Sequence, residues 1–333
     1  MKEYLAIVSF ISLLNFFTTQ LTIRSLLPIF NERSLAKIDK RSMHNKPTPT
    51  GGAILLVASS LFFYSLIKLK INALGINQVE TFNYFYILIL ISSMIGIFGF
   101  MDDLYYLRNN LKFAFQSFIS ILLINFLNTN LFLSHQNLLF FIIYFILIIF
   151  ISGIINIINF MDGIDGLICG IFSMIFLILA IKVNILYFPL SAGLFSFLCV
   201  NWHPAEIFMG DAGSTYIGSI FAGTIISADT LQESLSILLL ASPLLLDASI
   251  CILRRLVAGQ NIFSPHKLHL YQRLVQNGLS HSKVAIIYIS FCLVIAIFYL
   301  YNNFSLEILT TLLALVIGII LDKKYAFSFK EGL

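Results

Sequence analysis

Charge is scarce in this chain. Lys, Arg, Asp and Glu together make up 11% of its 333 residues, against roughly 25% in a soluble domain. That leaves too little polar surface for a water-soluble protein of this length. A dense basic stripe is also missing, so the net charge of +4 does not point to nucleic-acid binding. Cysteine is sparse: Cys169, Cys199, Cys251 and Cys292 sit in or beside apolar runs, without the spacing of a metal knuckle, and read as small buried side chains. No GK[ST] follows a glycine loop, which excludes a Walker A site, and no HExxH pattern occurs. No linker, low-complexity tract or internal repeat divides the chain, so residues 1–333 read as one domain.

What is abundant is apolar. Hydrophobic residues make up 59% of the chain, the mean hydropathy is +0.94, and runs of ~20 apolar residues, the length needed to cross a bilayer as a helix, recur throughout. The fold class is therefore all-α, a polytopic membrane protein with about ten or eleven transmembrane helices. The spans fall near 4–23, 50–69, 84–101, 113–129, 136–159, 166–183, 187–201, 213–228, 233–252, 284–301 and 305–321. The opening "MKEYLAIVSFISLLNFF" resembles a signal peptide but lacks a small-residue cleavage site, and is read as a retained first helix.

The connections fix an orientation. Sixteen Lys and Arg residues, among them Lys37, Arg41, Lys46, Lys112, Arg254 and Arg273, fall on one side, and only Lys2, Lys68, Lys70 and Lys182 on the other. The basic side faces the cytoplasm, which puts the N-terminus outside and the C-terminus inside. Seven acids then gather at that face: Asp102, Asp103, Asp162, Asp165, Glu206, Asp211 and Asp247. Charge at membrane depth is costly and marks function, so an active site open to the cytoplasm is expected.

Five stretches carry the chemistry. In "FGFMDDLYYLRNNLKFAFQ" the tandem Asp102 and Asp103 project about 100° apart on a helix, so they serve different jobs, while Lys112 and Gln116 share one face. In "NIINFMDGIDGL" the helical pair Asn156 and Asn159 points into the bundle. Gly163 and Gly166 then leave Asp162 and Asp165 on a turn, suited to a nucleoside or a cation's water shell. In "NWHPAEIFMGDAGSTYIG" small residues surround Asp211, which suits a hard cation near an approaching anion. "FSPHKLHLYQRLVQNG" reads as a short cytoplasmic helix over 265–276, capped by Ser264 and stopped by Gly278. It aligns His266, His269 and Arg273 on one phosphate-binding stripe; a zinc site is disfavoured because neither cysteines nor an HExxH pattern accompany them. In "HNKPTPTGG", Lys46, with Thr50 beside it, offers a phosphate or nucleotide contact.

Together the tandem Asp with its Lys and Gln, "NxxNxxDGxDGL", "FMGDxGS", "KxTPTGG" and the late His-containing helix resemble the polyprenyl-phosphate N-acetylhexosamine-1-phosphate transferases, from about residue 44 to 275. The resemblance implies transfer of a sugar-1-phosphate from a UDP-sugar to undecaprenyl phosphate, with release of UMP and with Mg²⁺ (or Mn²⁺) as cofactor. It further implies Asp102 and Asp103 at the lipid phosphate, one of them as base, with Asp211 and Asn159 toward the metal. Asn156, Asn159, Asp162 and Asp165 would shape the nucleoside pocket, Lys46, Thr50 and Lys112 would meet substrate, and His266, His269 and Arg273 the donor diphosphate. A multi-pass protein of the bacterial cytoplasmic membrane, with room for a homodimer, is the expected setting. Family members of peptidoglycan-precursor and enterobacterial type carry a histidine run where this chain has Leu270, Tyr271 and Gln272. "HKLHLYQRL" looks more like the branch that starts O-antigen or related surface polysaccharides, and the muramyl-pentapeptide transferase is the alternative. A secondary transporter fits less well, because its acids tend toward the midplane within inverted repeats. Nor does Asp162 to Asp165 show the four-residue spacing of CDP-alcohol phosphotransferases.

Overall fold

The computed structural model describes residues 2–33, 48–74, 79–127, 129, 138–261, 264 and 266–329. Described secondary structure is helical apart from an isolated β-bridge at Pro49. In chain order the helices are α1 (Lys2–Arg33), α2 (Ile54–Leu74), α3 (Val79–Tyr105), α4 (Asn109–Phe126), α5 (Leu138–Met161), α6 (Leu167–Lys182), α7 (Tyr187–Asn201), α8 (Gly210–Ile226), α9 (Leu231–Leu240), α10 (Ser242–Val257), α11 (Leu270–Gln276), α12 (His281–Leu300) and α13 (Phe304–Lys324). Each expected span meets a helix. Among the described residues six helices are long and apolar enough to cross a membrane, or seven if α9 and α10 are one broken span; α6 and α7 are shorter apolar helices.

The bundle is arranged around α8, whose residues from Ala212 to Ile226 are all buried. Without a hydrophobic force between helices in lipid, close packing depends on small residues and interhelical hydrogen bonds, and α8 has both. α3 packs against it along Gly96 and Gly99; a Cβ on Gly99 would stand 2.4 Å from the Asp211 carbonyl oxygen, so only glycine admits this approach. Ser92 and Ser219 bond across the same pair of helices at 2.9 Å, and Tyr187 donates to Thr224 at 2.9 Å. Outward positions remain apolar, as with Phe10, Phe141 and Leu309, the inverse of a soluble surface and the one a lipid environment favours.

Two expectations are corrected here. The span placed at 233–252 is broken: α9 and α10 meet at Ala241 with a bend of 78°. Pro243 occupies the first turn of α10, where its missing N–H costs nothing, but it cannot continue a helix from α9. The expected helix over 265–276 is only the seven residues of α11, with His269 at its N-cap. Ser264 caps nothing there: its hydroxyl accepts from Arg255 at 2.7 Å. Gly278, by contrast, has φ +98 and ends the helix as its position suggested.

Candidate functional site

The acids assemble where α3, α4, α5 and α8 end at the basic side of the bundle. Asp103, near the C-terminus of α3, accepts the amides of Asp211 at 3.0 Å and Ala212 at 3.2 Å. It thereby caps α8 from 108 residues away and stabilises the positive end of that helix dipole. Gly210 (φ +73) leaves room for this contact: a Cβ there would lie 2.5 Å from Asp103 Oδ2. The segment ahead of α2 joins the same junction. Phe208 N donates to Pro49 O at 2.8 Å and Gly52 N to Phe208 O at 3.2 Å. "TPTGG", with Thr50 half-buried, is thereby held against "FMGDAGS". Lys46 lies outside the described residues.

Asp102 faces elsewhere, as the 100° offset predicts. It is 5% exposed, accepts the Leu107 amide at 2.7 Å and is paired with the Lys112 ammonium. Lys112 also stands 3.7 Å from Asp211 Oδ2, so one ammonium faces both carboxyls. Asp162, on the turn after α5, adds a third carboxyl. Its burial, followed by the charges of Asp211 and Asp165, pushes its pKa up to about 8. Among the described residues Lys112 thus faces two carboxyls, Asp102 and Asp211, and Asp162 adds its charge to that of Asp211, a surplus of negative charge that a hard cation suits. Asn159, partly exposed, is one turn before Asp162 and receives the Asp162 amide on its carbonyl oxygen at 3.2 Å.

Other predicted residues serve the scaffold. The Asn156 amide is taken up reciprocally by Gln116: Asn156 Nδ2 donates to Gln116 Oε1 at 2.7 Å and Gln116 Nε2 to Asn156 Oδ1 at 3.0 Å. Asn156 therefore locks α4 to α5 and does not project an open amide into the pocket. Asp165 is 3% exposed and turns away from the cluster, to His203 Nδ1 at 2.5 Å and His281 Nδ1 at 3.4 Å. Asp247 is also a cap. It accepts from Leu270 N at 2.7 Å, Tyr271 N at 3.1 Å and the Tyr288 hydroxyl at 2.6 Å, which fixes α11 to α10.

The cationic stripe is not present as expected. His266 precedes α11, its Nδ1 accepting the Leu268 amide at 3.2 Å. His269 and Arg273 are each only 3% exposed. Arg273 is paired with Asp322 and donates to Leu268 O at 3.0 Å and Phe327 O at 2.9 Å, so its guanidinium ties α11 to the end of α13 and is not free for a diphosphate. His269 has its pKa lowered to about 4, first by burial and then by Arg255 and Arg273, so the neutral imidazole, not the imidazolium, is its form at neutral pH.

Sequence reasoning missed Asn201, His203 and Tyr271. Asn201 Oδ1 accepts the Gly166 amide at 3.1 Å while its Nδ2 donates to Ile207 O at 2.9 Å, which joins the "DGIDG" turn to the loop that carries Asp211. Tyr271 donates to Phe160 O at 3.0 Å and lies against Gly163, where a Cβ would meet its hydroxyl. Polar residues immediately after an apolar run, as in "NWH", were the available signal.

Residues 85–229 match the profile of Glycosyl transferase family 4. Over 126 residues the chain is 36% identical to the decaprenyl-phosphate N-acetylglucosaminephosphotransferase of Mycobacterium tuberculosis, covering 31% of each chain. Over 105 residues it is 36% identical to a probable undecaprenyl-phosphate N-acetylglucosaminyl 1-phosphate transferase of Bacillus subtilis, 29% of each. A phospho-N-acetylmuramoyl-pentapeptide-transferase of Carboxydothermus hydrogenoformans is 32% identical over 117 residues, 35% of this chain and 34% of that one. The chain thus spans about a third of the length of these relatives.

Proposed function

We propose that this chain, a member of glycosyl transferase family 4 through residues 85–229, transfers an N-acetylhexosamine-1-phosphate from a UDP-sugar to undecaprenyl phosphate at the cytoplasmic face of a bacterial inner membrane. The product is a lipid-linked sugar diphosphate that starts a surface polysaccharide such as O-antigen. The observation that carries this reading is the junction of Asp102 and Asp211 at Lys112, with Asp162 beside Asp211, at the ends of apolar helices. A lipid phosphate sits at that depth, and phosphoryl transfer needs positioning and charge neutralisation more than covalent help.

In the reaction an oxygen of the acceptor phosphate forms a bond to the donor's sugar-bearing phosphorus. The bond from that phosphorus to the bridging oxygen breaks, and UMP leaves with that oxygen. Where the acceptor arrives as the monoanion, its proton passes to a carboxylate, for which Asp102 stands beside Lys112. Asp103 acts as a positioning residue, since its oxygens are held by the amides that start α8. The all-oxygen donor set of Asp211, Asp162 and the Asn159 amide fits Mg²⁺ or Mn²⁺; when bound, the ion would supply positive charge to the donor diphosphate. Lys112 meets the same charge from α4.

The test is UMP release by purified protein given undecaprenyl phosphate and a panel of UDP-N-acetylhexosamines. Release that requires both substrates and stops with EDTA supports the reading, and no release with any donor removes it. The likeness to the Carboxydothermus protein keeps a second reading in play: turnover of UDP-MurNAc-pentapeptide alone would move the chain to that branch.

A further inference from the structure

The helix α11 has seven residues, well short of the ~12–15 that an isolated helix needs to hold itself in water, so its place depends on what grips it. Its first turn is gripped from α10, where Asp247 accepts the Leu270 and Tyr271 amides. Its last turn is gripped from α13. Asp322, in the last turn of that helix, is paired with Arg273 of α11 and accepts from Arg254 of α10 at 2.6 Å. The backbone after α13 pairs with α11 directly. Phe327 N donates to Arg273 O at 3.0 Å, Arg273 Nη1 to Phe327 O at 2.9 Å, and Asn277 Nδ2 to Tyr325 O at 3.2 Å. Phe329 then lies over both guanidinium groups, 5.4 Å from each.

From there α11 reaches the acidic junction. The Tyr271 hydroxyl donates to Phe160 O at 3.0 Å, two residues before Asp162, and takes the space that a Cβ on Gly163 would need. At its other end the same turn rests on Trp202. A Cβ on Gly166 would stand 2.6 Å from that indole, and Asn201 Oδ1 accepts the Gly166 amide at 3.1 Å. The stretch from Asp162 to Gly166 is thus held between Tyr271 and Trp202.

We infer that Asp322 is a positioning residue for the transfer. By holding Arg254 and Arg273 it seats α11, and α11 through Tyr271 sets the turn that presents Asp162 to the junction. Asp322 itself touches no substrate. The inference rests on the transferase reading for the chemistry that Asp162 serves, and on the contacts alone for the path from Asp322 to the turn. Removing the Asp322 charge leaves two guanidinium groups without their shared carboxylate. The Arg273 side chain is only 4% exposed, so its charge cannot simply turn to water, and a buried charge stripped of its partner is strongly unfavourable. Arg273 then moves to reach another acceptor and takes α11 with it. A misplacement of about 1 Å caused far from the chemistry can cost about 10²-fold in rate.

Trp202 is the single tryptophan of the chain, so its emission reports on the turn without a label. The test compares full-length wild type, Asp322→Asn and Asp322→Glu in detergent, well below their Tm, by Trp202 emission, acrylamide quenching and UMP release. Asp322→Asn should show red-shifted, more readily quenched emission. Its kcat should fall ~10–100-fold with donor KM within about twofold, since the loss is in the transition state. Asp322→Glu keeps the charge that both arginines need and should recover both readouts. A lower Tm in Asp322→Asn with wild-type emission and wild-type kcat would make the contact a structural tie only and overturn the assignment. If Asp322→Asn does not fold, Phe329→Ala, which spares the ion pairs, takes its place: a smaller change of the same sign supports the assignment and wild-type values overturn it. A wild type that releases no UMP removes the transferase reading, while the emission comparison still decides whether Asp322 sets the turn.

Discussion

Replacing Asp103 by Asn separates the structural from the chemical part of the acidic junction. Asp103 accepts two amides at the start of α8, at 3.0 and 3.2 Å. Hydrogen bonds to a charged group contribute about 1.5–3 kcal/mol each, and charge at a helix N-terminus about 0.3–1 kcal/mol. These terms do not add, since they describe the same contact, and loss of an N-cap residue costs about 0.5–2 kcal/mol. Asn keeps one acceptor oxygen but turns an NH₂ toward the second amide, so a loss of about 2 kcal/mol follows, near the upper end of that capping range. Domains of 150–250 residues lose about 2–4 °C of Tm per kcal/mol; for 333 residues, about 3–6 °C is expected. Asp102→Asn should cost less. It keeps an acceptor for the Leu107 amide and gives up an ion pair whose Lys112 partner is 31% exposed, of the kind that contributes about 1 kcal/mol or less. Thermal unfolding in detergent, followed by intrinsic fluorescence, reads both variants side by side. Equal Tm losses, or an Asp103→Asn protein as stable as the wild type, would refute the assignment of Asp103 to the cap.

Four further outcomes are expected. Asp211→Asn should abolish UMP release, as EDTA should, without lowering Tm, because it removes one charge from a crowd of carboxyls; retained turnover would return the "FMGDAGS" loop to structure. Gln116→Ala and Asn156→Ala should be non-additive by about 0.5–3 kcal/mol in a double-mutant cycle, and a donor KM raised by Asn156→Ala alone would instead make it a substrate contact. Gly210→Ala forces a side chain to φ +73 within 2.5 Å of Asp103 Oδ2, so it should cost about 1–3 kcal/mol and lower Tm; unchanged stability would mean the junction can open. Arg273→Ala should lower Tm through the lost Asp322 and Phe327 contacts and leave the donor KM unchanged, where a diphosphate contact would show in KM or kcat at full stability.

The spans were legible because lipid imposes long apolar runs, and the acids stood out because charge is scarce between them. That Asp102 and Asp103 meet different partners was legible too, since it needs only the angle between neighbouring residues on a helix. What each acid touches was not. Asp103 meets an amide 108 residues away and Asp247 one 23 residues away, and no local pattern marks a carboxylate that caps a different helix. The reading of His269 and Arg273 failed for a related reason. A polar stripe at helical spacing looks solvent-facing in isolation, but here α13 and the residues after it cover that face. Pro243 was the one local signal passed over: it marks the break between α9 and α10.

Seen together, these contacts show why the carboxylates stand at the ends of spans. A membrane bundle gains little from burying one apolar face against another, so its precise fit comes from small residues and from side chains that satisfy helix ends. Asp103 does this for α8, Asp247 for α11 and Asn201 for the turn before α6. Each cap ties a helix start or turn to an element from elsewhere in the chain, so the loops that carry Asp162 and Asp211 are anchored to the bundle by hydrogen bonds. The acids left over once the caps are assigned are Asp102 and Asp211, which share Lys112, and Asp162, which adds its charge to that of Asp211. An arrangement this unfavourable on its own, held by a scaffold this well satisfied, is what a site prepared for positive charge and a phosphate substrate requires.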